Sequence, residues 1–341
     1  MRPTRRDVLV LGAGMAAGAV LSTYVSPERR AARGGSGTAS TSRGDEEYVW
    51  LSANAHLGLF QSRDHPALEQ AGRDLGVRVR IAGPDTVDIP GLVAAVEQTA
   101  ARRPAGMMIV GWDPSALTPC INRAVDSGIP VVCVDADVPG SKRLAFIGTD
   151  WTEIGVKQAE AMVKALQGRR GKVAMLGLIE QSIDQQAFAG FRSVAEKAGL
   201  TVMEPQQDKG NVMEATRVAA GILQAHPDLV GMSGFDSESG PGMGQAVKEA
   251  GKVGKVVVTS VETMDQHLQM LKEGVLTACI GQKRELFTYF GVKALYDYVH
   301  ATVKLTADDR RAGVWPIPVN YNTGTYTVTR ENVDLHLVKK S

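Results

Sequence analysis

Few residue sets in this chain could do covalent chemistry. Ser182 or Ser260 could be paired with His56 or His267 as nucleophile and base, but neither serine lies in a G-x-S-x-G turn that would expose it. Asp135 and Asp236 could serve as a glycosidase-like carboxylate pair, although carboxylates that merely hold hydroxyl groups give the same sequence. Asp135 is the most informative of these. It ends the apolar run Pro130–Val134, where a carboxylate adds nothing to packing and must find polar partners. Cys120, Cys133 and Cys279 have neither CxxC nor metal-site spacing, so no metal is expected; a Cys120–Cys133 disulfide stays open. Gly12-Ala-Gly14 imitates a dinucleotide-binding turn. The Gly/Ser/Thr-rich stretch from Gly34 to Gly44 cannot supply the second strand such a turn needs, so no cofactor is expected.

The elements that must position Asp135 follow a steady rhythm. From Tyr48 onward, continuously apolar runs of four to six residues alternate with amphipathic stretches: Tyr48–Ala53, Val77–Ile81, Gly106–Val110 and Pro130–Val134 read as strands, with helices between them. The rhythm restarts after Asp150, with strands at Val173–Leu176, Leu200–Met203, Leu229–Ser233, Val256–Thr259 and Leu276–Ile280. Apolar strands without alternation are buried on both faces. The expected class is therefore α/β, with two doubly wound parallel-sheet lobes joined by a hinge. Helix Glu285–Val299 is left over after the second sheet, so the chain should return to the first lobe. The expected division is residues 48–149 plus 283–316 for the N-terminal lobe and 150–282 plus 317–341 for the C-terminal lobe. Ligands of open α/β sheets bind beyond the carboxyl ends of strands, which makes the residues just after each strand the site candidates.

Residues 1–44 read as a twin-arginine export signal and linker. Arg5-Arg6 precedes an uncharged apolar stretch from Val8 to Val25, and no small-x-small cleavage pair follows it, so retention as an anchor stays open. The net charge of +1 gives no footprint for nucleic acid, and no later apolar run reaches the ~20 residues of a membrane span. Lys283-Arg284 reads as the solvated start of the returning helix, and His56 as a loop residue.

Several segments taken in order resemble the ribose-binding group of bacterial sugar-binding proteins, which serve ABC transporters. They are Gly128-Ile-Pro-Val-Val-Cys-Val-Asp135, Ile147-Gly-Thr-Asp150 with Gly155, Ala189-Gly-Phe191, Phe235-Asp236, Leu271 through Gln282, and Thr323-Gly324 with Glu331-Asn-Val333. The resemblance covers nearly all of the chain after residue 47. It implies a type I periplasmic binding protein fold, a small-molecule ligand between the lobes, a membrane permease as partner, a monomer, and no enzyme activity. A sensory component is the alternative; a regulator is disfavoured because no helix-turn-helix precedes the body.

By position, the resemblance places Phe60 as a stacking surface and Asp135, Asp236 and Gln282 as polar contacts. It also shows departures. Ala136 and Gln185 stand where arginines are usual, and Ser260-Val-Glu262 stands where a strand-end Asp is usual. Two guanidinium groups are thus missing, Glu262 joins the carboxylates, and Trp112 or Trp151 could add stacking. These changes point away from an anion and toward a neutral sugar, a polyol or an amine-bearing ligand.

Overall fold

The computed structural model describes residues 43–337. The export signal expected within residues 1–44 therefore lies almost wholly outside the described residues. The first half runs β1 (Glu47–Leu51), α1 (His65–Leu75), β2 (Arg78–Ala82), α2 (Ile89–Ala101), β3 (Gly106–Val110), α3 (Pro114–Asp126), β4 (Val131–Asp135) and β5 (Ala145–Gly148). The second runs α4 (Trp151–Leu166), β6 (Lys172–Gly177), α5 (Ser182–Ala195), β7 (Thr201–Val202), β8 (Gln206–Gln207), α6 (Val212–Ala225), β9 (Leu229–Gly234), α7 (Ser239–Glu249), β10 (Val257–Val261), α8 (Asp265–Lys272) and β11 (Ala278–Gln282). Helix α9 (Glu285–His300) and strands β12 (Asn320–Asn322) and β13 (Thr325–Thr329) complete the body.

Two sheets result. The first has the order β12-β5-β4-β3-β1-β2 and is parallel throughout. The second has the order β13-β11-β10-β9-β6-β7, with β8 also on β6, and β13 runs antiparallel to β11. Strands β3, β4, β10 and β11 are buried along their whole length, as helices on both faces require. Acid or amide side chains open several helices at the carboxyl ends of strands. Asp88 accepts from the Gly91 amide at 2.9 Å, Asp113 from Ala116 at 3.0 Å, Asp150 from Glu153 at 3.2 Å and Asn211 from Met213 at 2.9 Å.

The chain passes between the lobes three times: between β5 and α4, between β11 and α9, and between β12 and β13. The last crossing falls later than the expected boundary at 316/317. Strand β12 pairs Asn320–Asn322 with Phe146–Gly148 in the first sheet, and the switch follows at Thr323-Gly324. Strand β13 follows directly and closes the second sheet.

Within the second lobe, α4 and α5 meet backbone to backbone. A Cβ on Gly155 would come 1.9 Å from the Ala187 carbonyl oxygen, and one on Gly190 would come 2.2 Å from that of Thr152. This contact fixes the start of α5 beside the inter-lobe cleft. All three cysteines are buried free thiols, so the open Cys120–Cys133 pairing is not made. Among the described residues no helix is long and apolar enough to cross a membrane.

Candidate functional site

A cavity of about 590 Å³, counting its mouth, opens between the carboxyl ends of the two sheets. Its first-lobe wall carries Asn54, Phe60, Trp112 and Asp135; its second-lobe wall carries Asp184, Asp236 and Glu262. Trp151 and Arg284, at two of the crossings, complete it.

The aromatic side is built as a cluster. Phe60 begins a five-residue π-helical turn, Phe60–Asp64, that leads into α1. Its ring stacks on Trp112 with centroids 5.8 Å apart and planes 29° apart, and meets Trp50 edge-on at 5.1 Å. Trp112 is 7% exposed and its indole N–H has no partner in the protein. Trp151 is tied down instead, its Nε1–H donating to the Asp135 carbonyl at 3.3 Å.

Asp135 sits at the end of β4 with φ of 66°, and the Ala136 amide donates back to the Val134 carbonyl at 2.7 Å. That is a γ-turn of the strained hand, which turns the carboxylate away from the strand and toward the cleft. Glu262 occupies the matching place after β10 with φ of 73°. Two non-glycine residues held in the left-handed region at equivalent strand ends mark both as positions the surrounding structure enforces.

Between them lies Arg284, which corrects the expectation of a solvated residue. It is 2% exposed. Its Nε and Nη2 donate to the two carboxylate oxygens of Asp64 at 2.9 and 3.2 Å, its Nη1 donates to Asp135 at 2.7 Å, and Glu262 lies 3.7 Å away. The guanidinium also covers the rings of Phe60 and Phe287, at 5.1 and 5.2 Å. Three carboxylates share one cation that is held on a crossing between lobes. Burial pushes Asp64 up to about 7 against the pull of Arg284, and burial likewise raises Glu262. Arg284 is held protonated, because the adjacent carboxylates outweigh its loss of solvent.

Asp236 follows β9. One carboxylate oxygen accepts from the Glu238 and Ser239 amides at the start of α7 at 2.7 Å each, while the other is buried and can meet only Asp208, with which a protonated carboxyl shares a hydrogen bond. The residue is therefore a helix cap and a cavity group together. Behind it lies Asp208, held by the Ser239 hydroxyl at 2.5 Å, and beside it Asp184, which accepts from the Leu178 amide at 2.5 Å. Burial, reinforced by the neighbouring carboxylates, holds Asp184 and Asp236 well above the ordinary carboxylate range.

Of the expected site residues, Phe60, Trp112, Asp135, Asp236 and Glu262 are brought together at the cavity. Gln185 is not. It is exposed on α5 and its amide turns back to the Ile179 carbonyl, while its neighbour Asp184 faces the cleft. Gln282 lies one layer out: its Nε2 donates to Glu262 at 2.6 Å, so it orients that carboxylate. Asp64, Asp184 and Arg284 were missed. Asp184 sits in the expected segment one residue from Gln185, whereas nothing local to Arg284 distinguishes it from a surface cation.

A two-lobed α/β body with three crossings and a polar, aromatic cleft defines a class of binding proteins, and the chain belongs to it: the periplasmic binding protein domain family model matches residues 51–302. The fold is that of type I periplasmic binding proteins. Among its relatives, the D-ribose/D-allose-binding protein of Pseudomonas aeruginosa is 26% identical over 245 residues, covering 70% of this chain and 76% of that protein. A sugar-binding protein of a sugar ABC transporter from Bacillus halodurans is 30% identical with a TM-score of 0.77, covering 86% of this chain and all (100%) of that one. AraP, an arabinose-binding protein from Geobacillus stearothermophilus, is 32% identical with a TM-score of 0.73 and the same coverages.

Proposed function

We propose that this protein is an extracytoplasmic solute-binding protein that captures a sugar-like molecule between its lobes and presents it to the permease of an ABC transporter. The observation that carries this reading is that residues lining the cavity hold buried polar atoms without partners in the protein, Asn54 Oδ1 and the Trp112 N–H. Each such atom costs free energy unless a ligand satisfies it. A polyhydroxylated molecule offers donors and acceptors together, and its C–H faces suit an aromatic wall such as Trp112.

Phe60, Trp112, Asp135 and Asn54 belong to one lobe and Asp184, Asp236 and Glu262 to the other. A ligand touching both sets favours the closed arrangement in proportion to those shared contacts. Gln282 supports the site by holding Glu262. In this reading the protein acts as a monomer, reaches its compartment through the twin-arginine signal at Arg5-Arg6, and catalyses no reaction. The experiment is thermal unfolding against monosaccharides, polyols, amino sugars and nucleosides. A ligand bound only by the folded state at a hundredfold excess over its Kd adds ~2.7 kcal/mol of stability. A concentration-dependent rise in Tm with one compound supports the reading, and a flat response across the panel contradicts it.

A further inference from the structure

The charge on the cavity wall is lopsided. Asp135, Asp184, Asp236, Glu238 and Glu262 line it against a single cation, Arg284. That cation is already engaged by Asp64 and Asp135, with Glu262 beside it. On the second lobe, Asp184, Asp208 and Asp236 stand together, and among the described residues none of them pairs with a lysine, arginine or histidine. Their partners are the Leu178, Gly210, Glu238 and Ser239 amides and the Ser239 hydroxyl. Among the described residues, no three His, Cys, Asp or Glu side chains are arranged to hold a metal ion, so the grouping is not a metal cage.

Two independent features mark the place as one that awaits a ligand. Asp236 Oδ2 is buried beside Asp208 with no cation on it, and the Trp112 N–H, on a cavity-lining side chain 7% exposed, has no acceptor in the protein. A neutral polyol would answer those two atoms while leaving the second-lobe acids protonated, with no cation to let them ionise. A hydroxylated ammonium ion would answer those atoms and supply that cation.

We infer that the ligand is a hydroxylated amine, an amino sugar or amino polyol, whose ammonium group is received by Asp184 and Asp236 while its hydroxyls meet the first-lobe wall. This rests on the sugar-like reading above and narrows it. Burial and mutual repulsion already hold the two acids against ionisation, and an ammonium partner would let them ionise in place.

The test is calorimetric titration of the protein with matched pairs: D-glucosamine with D-glucose, D-galactosamine with D-galactose, and N-methyl-D-glucamine with D-sorbitol. The expected result is at least about tenfold tighter binding of the amine in one or more pairs, reflecting a buried ion pair. In Asp184→Asn and Asp236→Asn proteins the ratio of amine to neutral affinity should fall toward one, whatever the change in overall affinity. Equal or tighter binding of the neutral partners overturns the inference and leaves the sugar-binding reading standing. Binding of neither partner in any pair overturns the inference and counts against that reading too. The wild-type comparison is decisive even where a variant fails to fold.

Discussion

At the scale of single residues, Arg284 does the most to hold the site in place. It donates to Asp64 and Asp135 and lies within 3.7 Å of Glu262. Its removal leaves buried carboxylates facing one another, a change that costs ~3–5 kcal/mol in comparable buried pairs. Arg284→Ala should therefore lower the unfolding free energy by about that much in urea denaturation. A loss below ~1 kcal/mol would show that the cluster relaxes or neutralises itself. Arg284→Lys should restore only part of the stability, because an ammonium cannot make the two-pronged contact to Asp64 and reach Asp135 as well. Asp236→Ala removes both a helix cap and a cavity-lining carboxyl group. It should weaken binding by tenfold or more, ~1.5–3 kcal/mol, in calorimetry.

The reach of sequence reasoning at this scale is set by distance along the chain. Asp135 was legible because its carboxylate closes a buried apolar strand. Arg284 was not, since Asp64 lies 220 residues earlier and Lys283-Arg284 has the look of any solvated helix start. Gln185 was taken where Asp184 serves. One helical residue turns a side chain by about 100°, enough to move it from the cleft to the solvent.

At the scale of elements, most strands and helices could be read because the central strands are apolar runs, the edge strand β2 alternates Arg78 and Arg80 with apolar residues, and each helix has an apolar face. The exceptions are short or polar edge pieces. Asn320–Asn322 and Gln206–Gln207 carry no apolar signal and form only through pairing with a neighbour; because the first of these is hidden, the last crossing out of the first lobe is expected too early. Two predictions belong here. Gly155→Ala should destabilise the second lobe by ~1–3 kcal/mol, because its methyl group drives α4 off the Ala187 carbonyl, as chemical denaturation would show. His267 on α8 is buried with both ring nitrogens unpartnered, and burial lowers its pKa to about 4. The unfolded chain takes up this proton near pH 6.5 while the folded protein refuses it, so stability falls as pH drops from about 6.5 to 4. His267→Leu should flatten that part of the stability profile, and an unchanged slope would assign it to other groups.

At the scale of the whole molecule, the three crossings and the cluster around Arg284 tie the lobes at one edge, and the unpartnered cavity atoms give a ligand something to close upon. Arg63 adds a further bridge, donating to Glu285 at 3.1 Å and to the Thr263 carbonyl at 3.2 Å. Closure should appear as a smaller radius of gyration in X-ray scattering when the ligand is added. An Asp135→Ala, Asp236→Ala double variant should lose that change.

The most direct test of the inter-lobe cavity as the binding site is a titration of the strongest binder from the panel into wild-type protein and into a Trp112→Ala, Asp236→Ala double variant. One saturable site in the wild type and at least a hundredfold weakening in the variant, ~2.7 kcal/mol, is the predicted result. Undiminished affinity in a folded double variant would place the ligand elsewhere and contradict the account.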